Sequence, residues 1–183
     1  MKPAIFLDRD GVVIENRLDY VRRWEDVKIF PAAVEVLSRL ASSPYQIVFI
    51  TNQSAVGRGI ISLETARKIN QQLVFELNKA GCRVDGVFMC PHAPEENCSC
   101  RKPLPGLLYQ AANLLNIDLA RSIMIGDAWT DLQAGQSAGV VRYALVLTGR
   151  GHQQIALPKP LEISDALIYP DLESALEDFL ASK

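Results

Sequence analysis

Short apolar runs alternate with amphipathic stretches along the chain. Ala4-Ile5-Phe6-Leu7 and Ile47-Val48-Phe49-Ile50, the latter within Gln46 to Ile50, are unbroken apolar runs. That pattern marks strands buried on both faces. Val84 to Met89, Ser122 to Gly126, part of Val140 to Leu147, and Ala166 to Ile168 continue the series. Between them lie segments with apolar residues at helical spacing. Ala32 to Ala41 has Pro31 at its start, where proline suits a first helical turn. Ser62-Leu63-Glu64-Thr65 opens a long helix to about Ala80, closed by Gly81. Leu104 to Leu115, Thr130 to Ala138 (stopped by Gly139) and Leu172 to Leu180 complete the helices. Strand–helix alternation predicts an α/β fold with a central parallel sheet and helices on both faces. Crossovers are expected to be right-handed. No repeat, low-complexity segment or charge block divides the chain, so residues 1–183 are read as one domain. Ligands of such sheets bind beyond the carboxyl ends of the strands. The residues just after each predicted strand therefore come first.

They carry chemistry. Leu7-Asp8-Arg9-Asp10-Gly11 sets two carboxylates two residues apart at a strand end. Like charges so close are costly unless a cation neutralises them. Mg²⁺ suits such a pair, since it keeps several waters and needs few carboxylates. Gly11 lets the backbone turn sharply there. Taken alone, Asp-x-Asp-Gly is equally a polar strand end with a turn. Thr51-Asn52-Gln53 ends the second strand, and Ile125-Gly126-Asp127-Ala128-Trp129-Thr130-Asp131 ends the fourth. Arg101-Lys102-Pro103 adds two cations. Each has an ordinary structural reading, Asp127 as a helix cap among them. All four in this order supply a nucleophile, an acid/base, a metal ligand and phosphate anchors.

Composition narrows the rest. The formal net charge of -2 gives no basic footprint for nucleic acid. No apolar stretch is long enough to cross a membrane. Met1-Lys2-Pro3 and the residues after it do not read as a secretory leader, so a cytoplasmic protein is expected. Three of the four cysteines fall within Cys90 to Cys100, around His92. In a reducing compartment that clustering points to a metal or to reduced thiols, not to a disulfide.

Asp8/Asp10, Thr51, Lys102 and Asp127/Asp131, in this order, resemble the haloacid dehalogenase superfamily of phosphatases. The likeness runs from about residue 4 to residue 150. It implies a Rossmann-like three-layer fold with no large cap domain. It also implies a phosphoric monoester hydrolase with Asp8 as nucleophile and Asp10 as general acid/base. Thr51 and Lys102 would stabilise the transferring group, and Asp131 would orient Lys102 or a metal-bound water. Mg²⁺ would be held by Asp8, Asp127 and the backbone carbonyl of Asp10. The second acid argues against a dehalogenase, which has no leaving alcohol to protonate. The run from Cys90 to Pro103 resembles the zinc-loop subgroup, which implies Zn²⁺ on Cys90, His92, Cys98 and Cys100. Three thiols and an imidazole make a closed, structural site. Cys82 stands apart as a plain thiol.

The subgroup implies one of two substrates: the C7 phosphate of a heptose 1,7-bisphosphate, or histidinol phosphate. Glu15 to Arg23 carries three arginines against two acids, and Arg58 and Arg101 add more cations. A second phosphate favours cations, so the heptose bisphosphate is the expectation. Asn52, Gln53, Ser54, Arg58 and Arg101 are the expected substrate-binding residues. Two features point elsewhere. Five residues separate His92 from Cys98, a short spacing that resembles histidinol-phosphate enzymes. Ala128 stands where the subgroup commonly has a cation. The expected partner is a small phosphorylated metabolite, with no nucleic acid or membrane, and the expected state is a monomer. The rival readings are a DNA 3′-phosphatase and a non-catalytic zinc-binding module. The first would need a basic groove, and the second would have no use for the acids.

Overall fold

The computed structural model describes residues 1–181; the last two residues of the expected domain lie outside them. Six parallel strands form one sheet: β1 (Ala4–Leu7), β2 (Gln46–Asn52), β3 (Gly86–Cys90), β4 (Ile123–Gly126), β5 (Arg142–Val146) and β6 (Leu167–Tyr169). Their spatial order is β3-β2-β1-β4-β5-β6. The chain builds outward from β1 to β3, then returns to the centre and builds outward again from β4. The reversal places a crevice between the ends of β1 and β4, the position that binds ligands in open α/β sheets.

The apolar runs split by parity, because successive strand residues face opposite sides. Ile5, Leu7, Ile47, Phe49, Ile123 and Ile125 enter one core. They meet α1 (Pro31–Arg39), α3 (Leu63–Lys79) and α7 (Leu172–Ala181), which contribute Leu37, Leu73 and Leu176 among others. Ala4, Phe6, Val48, Ile50 and Met124 enter the other core, against α4 (Gly106–Leu115) and α5 (Trp129–Ala138). Each fully buried Leu or Phe contributes roughly 1.5–3 kcal/mol. That explains why these runs alternate nowhere in polarity.

The long helix α3 begins as expected, with the Ser62 hydroxyl accepting from the Thr65 N–H at 3.0 Å. Some boundaries differ. The third strand starts at Gly86, not Val84. It is an edge strand paired only with β2, from Val48↔Gly86 to Asn52↔Cys90. Just before it, Asp85 donates its N–H to the Ile47 carbonyl and accepts the Ile47 N–H on its carboxylate, each at 2.8 Å. The fourth helix starts at Gly106 because Pro103 and Pro105 precede it. Two four-residue helices, α2 (Ser54–Gly57) and α6 (Gly151–Gln154), are too short to show helical periodicity in sequence. Among the described residues, no helix is long and apolar enough to cross a membrane.

Candidate active site

The crevice is built first by a loop that folds back on itself. After β1, Gly11 adopts φ +89 and donates its N–H to the Ile14 carbonyl at 2.7 Å. Val13 and Ile14 return N–H bonds to the Arg9 carbonyl. Asp8, Arg9 and Asp10 are thereby held in one tight turn. Gly149, at φ +57, lies against Gly11 from the loop after β5. A Cβ on either glycine would overlap Asp127 Oδ2, so both positions keep the backbone close over that carboxylate.

Lys102 is the centre of the charge network. Its Nζ donates to Asp8 Oδ1 and to the Ile50 carbonyl, each at 2.7 Å. It also lies 2.7 Å from Asp131 Oδ1. All three ammonium protons are thus used. Burial opposes the charge, but Asp131 and Asp8 outweigh it and hold the lysine pKa above its ordinary value. The backbone of Lys102 is pinned as well. Asn52 Oδ1 accepts its N–H and Asn52 Nδ2 donates to its carbonyl, both at 3.1 Å. Asp131, in the first turn of α5, uses its other oxygen to accept the Ala128 N–H at 3.0 Å.

Asp8 and Asp127 are buried, with 4% and 0% of their surface exposed. Burial pushes the Asp8 carboxyl up to about 7; Lys102 pulls it down, while Asp131, Asp127 and Asp10 push it further up. Burial likewise raises Asp127, against the pull of Arg150. One oxygen from each of Asp8, Asp127 and Asp131 lies within 4.8 Å of the others, a group able to hold a metal ion. Around them opens a cleft of about 510 Å³, whose walls include Asp10, Arg17, Ser54, Arg101, Lys102 and Arg150. A larger groove of about 600 Å³ crosses α3 and β3, but among the described residues Arg67 is its one charged lining residue and it gathers no acids.

A second cluster stands at the end of the edge strand. Cys90, His92, Cys98 and Cys100 bring donor atoms within 4.8 Å of one another. The His92 Nδ1 is 3.5 Å from Cys90 Sγ and 3.3 Å from Cys100 Sγ. Cys98 Sγ is 3.5 Å from both Cys90 Sγ and Cys100 Sγ. Burial raises the Cys90 thiol. Burial also opposes ionisation of Cys98, but bonds from the Cys100 side chain and the Arg101 backbone bring it down to about 7. The cluster leads directly into Arg101 and Lys102.

The family model described as HAD-hydrolase-like matches residues 99–175. The D-glycero-β-D-manno-heptose-1,7-bisphosphate 7-phosphatase of Yersinia pestis is 38% identical over 155 residues, covering 81% of this chain and 82% of its own. The chain belongs to the HAD-like hydrolase family. The enzyme of the same name from Bordetella bronchiseptica is 36% identical, covering 89% of this chain and 92% of its own. The crystal structure of D,D-heptose 1,7-bisphosphate phosphatase from B. bronchiseptica, complexed with magnesium and phosphate, superimposes with a TM-score of 0.89 at 34% identity. It covers 99% of both chains.

In this HAD-like fold, Asp8, Asp10, Asn52, Gln53, Ser54, Arg101 and Lys102 all line the cleft. Thr51 is buried beneath it, with Oγ1 3.5 Å from Asp10 Oδ2. Arg58 is elsewhere: it is absent from the cleft wall and lies 3.7 Å from Glu95 on the surface. The cause is α2, whose last residue Gly57 is tied to the Pro91 carbonyl and turns Arg58 outward. One cation was not foreseen from sequence. Arg150 donates to Asp127 through its backbone N–H at 2.8 Å to Oδ2 and through Nη2 at 2.8 Å to Oδ1. The strand-end rule already pointed to Thr148-Gly149-Arg150, which follows β5.

Proposed function

We propose that this chain is a Mg²⁺-dependent phosphatase that removes the C7 phosphate of D-glycero-β-D-manno-heptose 1,7-bisphosphate through an aspartyl-phosphate on Asp8. The observation that carries the reaction class is the convergence of Asp8, Asp10, Lys102, Asp127 and Asp131 on one cleft. The activity for which the relatives are named and the cationic wall of Arg17, Arg101 and Arg150 support the bisphosphate substrate.

In this reading an Asp8 oxygen attacks phosphorus and the bond to the sugar oxygen breaks. Asp10 protonates the leaving oxygen, then takes a proton from the water that hydrolyses the aspartyl-phosphate. Lys102 holds Asp8 in place and, with Thr51, balances charge on the transferring group. Asp131 orients Lys102. Asn52 sets the Lys102 backbone, while Gln53, Ser54 and Arg101 hold the substrate.

Burial first, and then the neighbouring acids, hold the Asp8 carboxyl up at about 7 against the pull of Lys102, and a divalent ion would offset that cost. Asp8, Asp127 and the Asp10 carbonyl would hold it, leaving Asp131 to keep its contact with Lys102 at 2.7 Å. When bound, Mg²⁺ offsets repulsion between carboxylate and phosphate and polarises the phosphoryl oxygens. The second cluster suits Zn²⁺. Donors around a tetrahedral zinc stand about 3.5–3.8 Å apart, and four donor pairs here lie at 3.3–3.5 Å. That metal would be structural, fixing the loop that delivers Arg101 and Lys102. Every donor comes from one chain, so a monomer suffices. The four free thiols fit the cytoplasm.

The test is kcat/KM for both anomers of heptose 1,7-bisphosphate and for histidinol phosphate, with Mg²⁺. A β-heptose preference above roughly a hundredfold, about 2.7 kcal/mol in the transition state, is expected. Preference for histidinol phosphate would overturn the substrate, and inertness toward all three would overturn the reaction class.

A further inference from the structure

Arg9 separates the two acids of the loop after β1, and its side chain is among the most deeply buried in the molecule, at 1% exposed. It does not line the cleft. Its guanidinium faces two partners. Nε donates to Asp10 Oδ2 and Nη2 to Asp10 Oδ1, both at 3.0 Å. Nη1 donates to Asn70 Oδ1 at 2.6 Å. Asn70 is itself buried on α3, and its Nδ2 faces Met89 Sδ on β3 at 3.5 Å. A fork from Arg9 thus grips Asp10, and the far side of that fork is anchored in the helix layer.

Stability alone does not account for this arrangement. Burying a charge costs several kcal/mol, and well-packed apolar residues of similar volume commonly serve as well or better. What the arrangement adds is geometry. Asp10 Oδ2 accepts from Arg9 Nε, from Gln53 Nε2 at 2.9 Å and from Thr51 Oγ1 at 3.5 Å. Asp10 Oδ1 accepts from Arg9 Nη2 alone among those donors. A carboxylate oxygen has about two lone-pair sites. Oδ2 is saturated, and Oδ1 keeps one site open.

We infer that Arg9 is a positioning residue for proton transfer: fixed by Asn70, it ties down Asp10 so that Oδ1 is the oxygen that exchanges the proton. The inference rests on the phosphatase reading above. In the first step the proton leaves Asp10 Oδ1 for the sugar oxygen as its bond to phosphorus breaks, the bonding pair staying on that oxygen. In the second, Oδ1 takes a proton from water as the water oxygen bonds to phosphorus. The Asp8–phosphorus bond then breaks, its pair returning to Asp8.

The role is tested by leaving group. An alkyl phosphate needs the proton, whereas p-nitrophenyl phosphate leaves as a stable anion without it. Single-turnover rates for both esters are compared in the parent, Arg9→Met, Arg9→Lys and Asn70→Asp, with thermal unfolding as the check on folding. Asn70→Asp lies outside the cleft and sets a competing carboxylate against the Arg9 guanidinium. Loss of positioning is expected to slow the alkyl ester by about 10²-fold and the p-nitrophenolate burst by less than about threefold. Arg9→Lys, which cannot fork, should recover only part of the alkyl rate. Asn70→Asp should likewise slow the alkyl ester more than the p-nitrophenolate burst and carries the test if the Arg9 variants do not fold. Equal loss on both esters, or no loss on either, overturns the positioning role. A parent that releases no p-nitrophenolate overturns the phosphatase reading itself and this role with it.

Discussion

Replacing Lys102 with methionine keeps an unbranched side chain, one heavy atom shorter, and removes the charge and the donors. Two carboxylates, Asp8 and Asp131, each then lose a contact at 2.7 Å, and the Ile50 carbonyl loses a donor. The lysine side chain is 2% exposed and its acidic partners no more than 5%, so water does not replace those contacts. Breaking a buried ion pair by removing one partner costs about 3–5 kcal/mol. At about 2–4 °C per kcal/mol for a chain of this size, the melting temperature should fall by roughly 6–20 °C. Circular dichroism melts without added Mg²⁺ would measure it. Saturating Mg²⁺ should narrow the gap, because the acids stripped of Lys102 bind the ion more tightly, and tighter binding to the folded chain stabilises the variant more than the parent. Adding Asp131→Asn removes one stranded charge and should restore at least about 1 kcal/mol, the coupling expected of residues in contact. A fall of less than about 1 kcal/mol in Lys102→Met, or no recovery in the double variant, would refute the view that this lysine is the counter-ion of the site.

Asp8→Asn should abolish turnover in a chain that still folds; near-normal phosphate release would remove Asp8 as nucleophile. The Asp8 carboxyl, raised from 3.8 to about 7, stays protonated in the folded chain over a range where the unfolded chain has released its proton. Without divalent ions, stability should therefore decline as pH rises from about 4 to about 7 and level off above. Mg²⁺ must displace that proton, so its affinity should rise with pH through the same window, with protons released at pH of roughly 6 and few at roughly 8. Calorimetry in buffers of different ionisation heat reads this directly, and a flat affinity would contradict it. Cys98→Ser should lose bound zinc and stability, and an equally stable, equally active variant would show that the cluster is not structural.

The sheet was legible because its central strands are buried on both faces and read as unbroken apolar runs. The edge strand was blurred at its start, since Val84 lies outside the β2 pairing while Gly86 lies inside it. Asp8, Asp10 and Asp127 were legible because each follows a strand directly, and Lys102 because it closes the Cys/His loop that starts at the end of β3. Arg150 was not, because its partner Asp127 sits on another strand's loop and nothing local in the sequence joins them. Arg9 reads in sequence as a spacer between acids; only the packing of α3 shows that its far end meets Asn70. Arg58 lies outside the cleft because Gly57 is tied to the Pro91 carbonyl, a contact between segments distant in sequence.

The reversal of strand order at the centre of the sheet divides the chemistry between two lengths of chain. A cut at the exposed Ala120–Arg121 turn would leave Asp8, Asp10 and Lys102 on one piece, and Asp127, Asp131 and Arg150 on the other. The seam between the pieces runs along the β1–β4 ladder, from Ile5↔Ile123 to Leu7↔Ile125, with α1 packed on α7 and α4 on α5 to either side. Neither fragment carries a working set of groups, and docking along that seam restores the set. The fold is in this sense a two-key lock, and its halves are natural candidates for a reporter in which released phosphate signals that two tethered proteins have met.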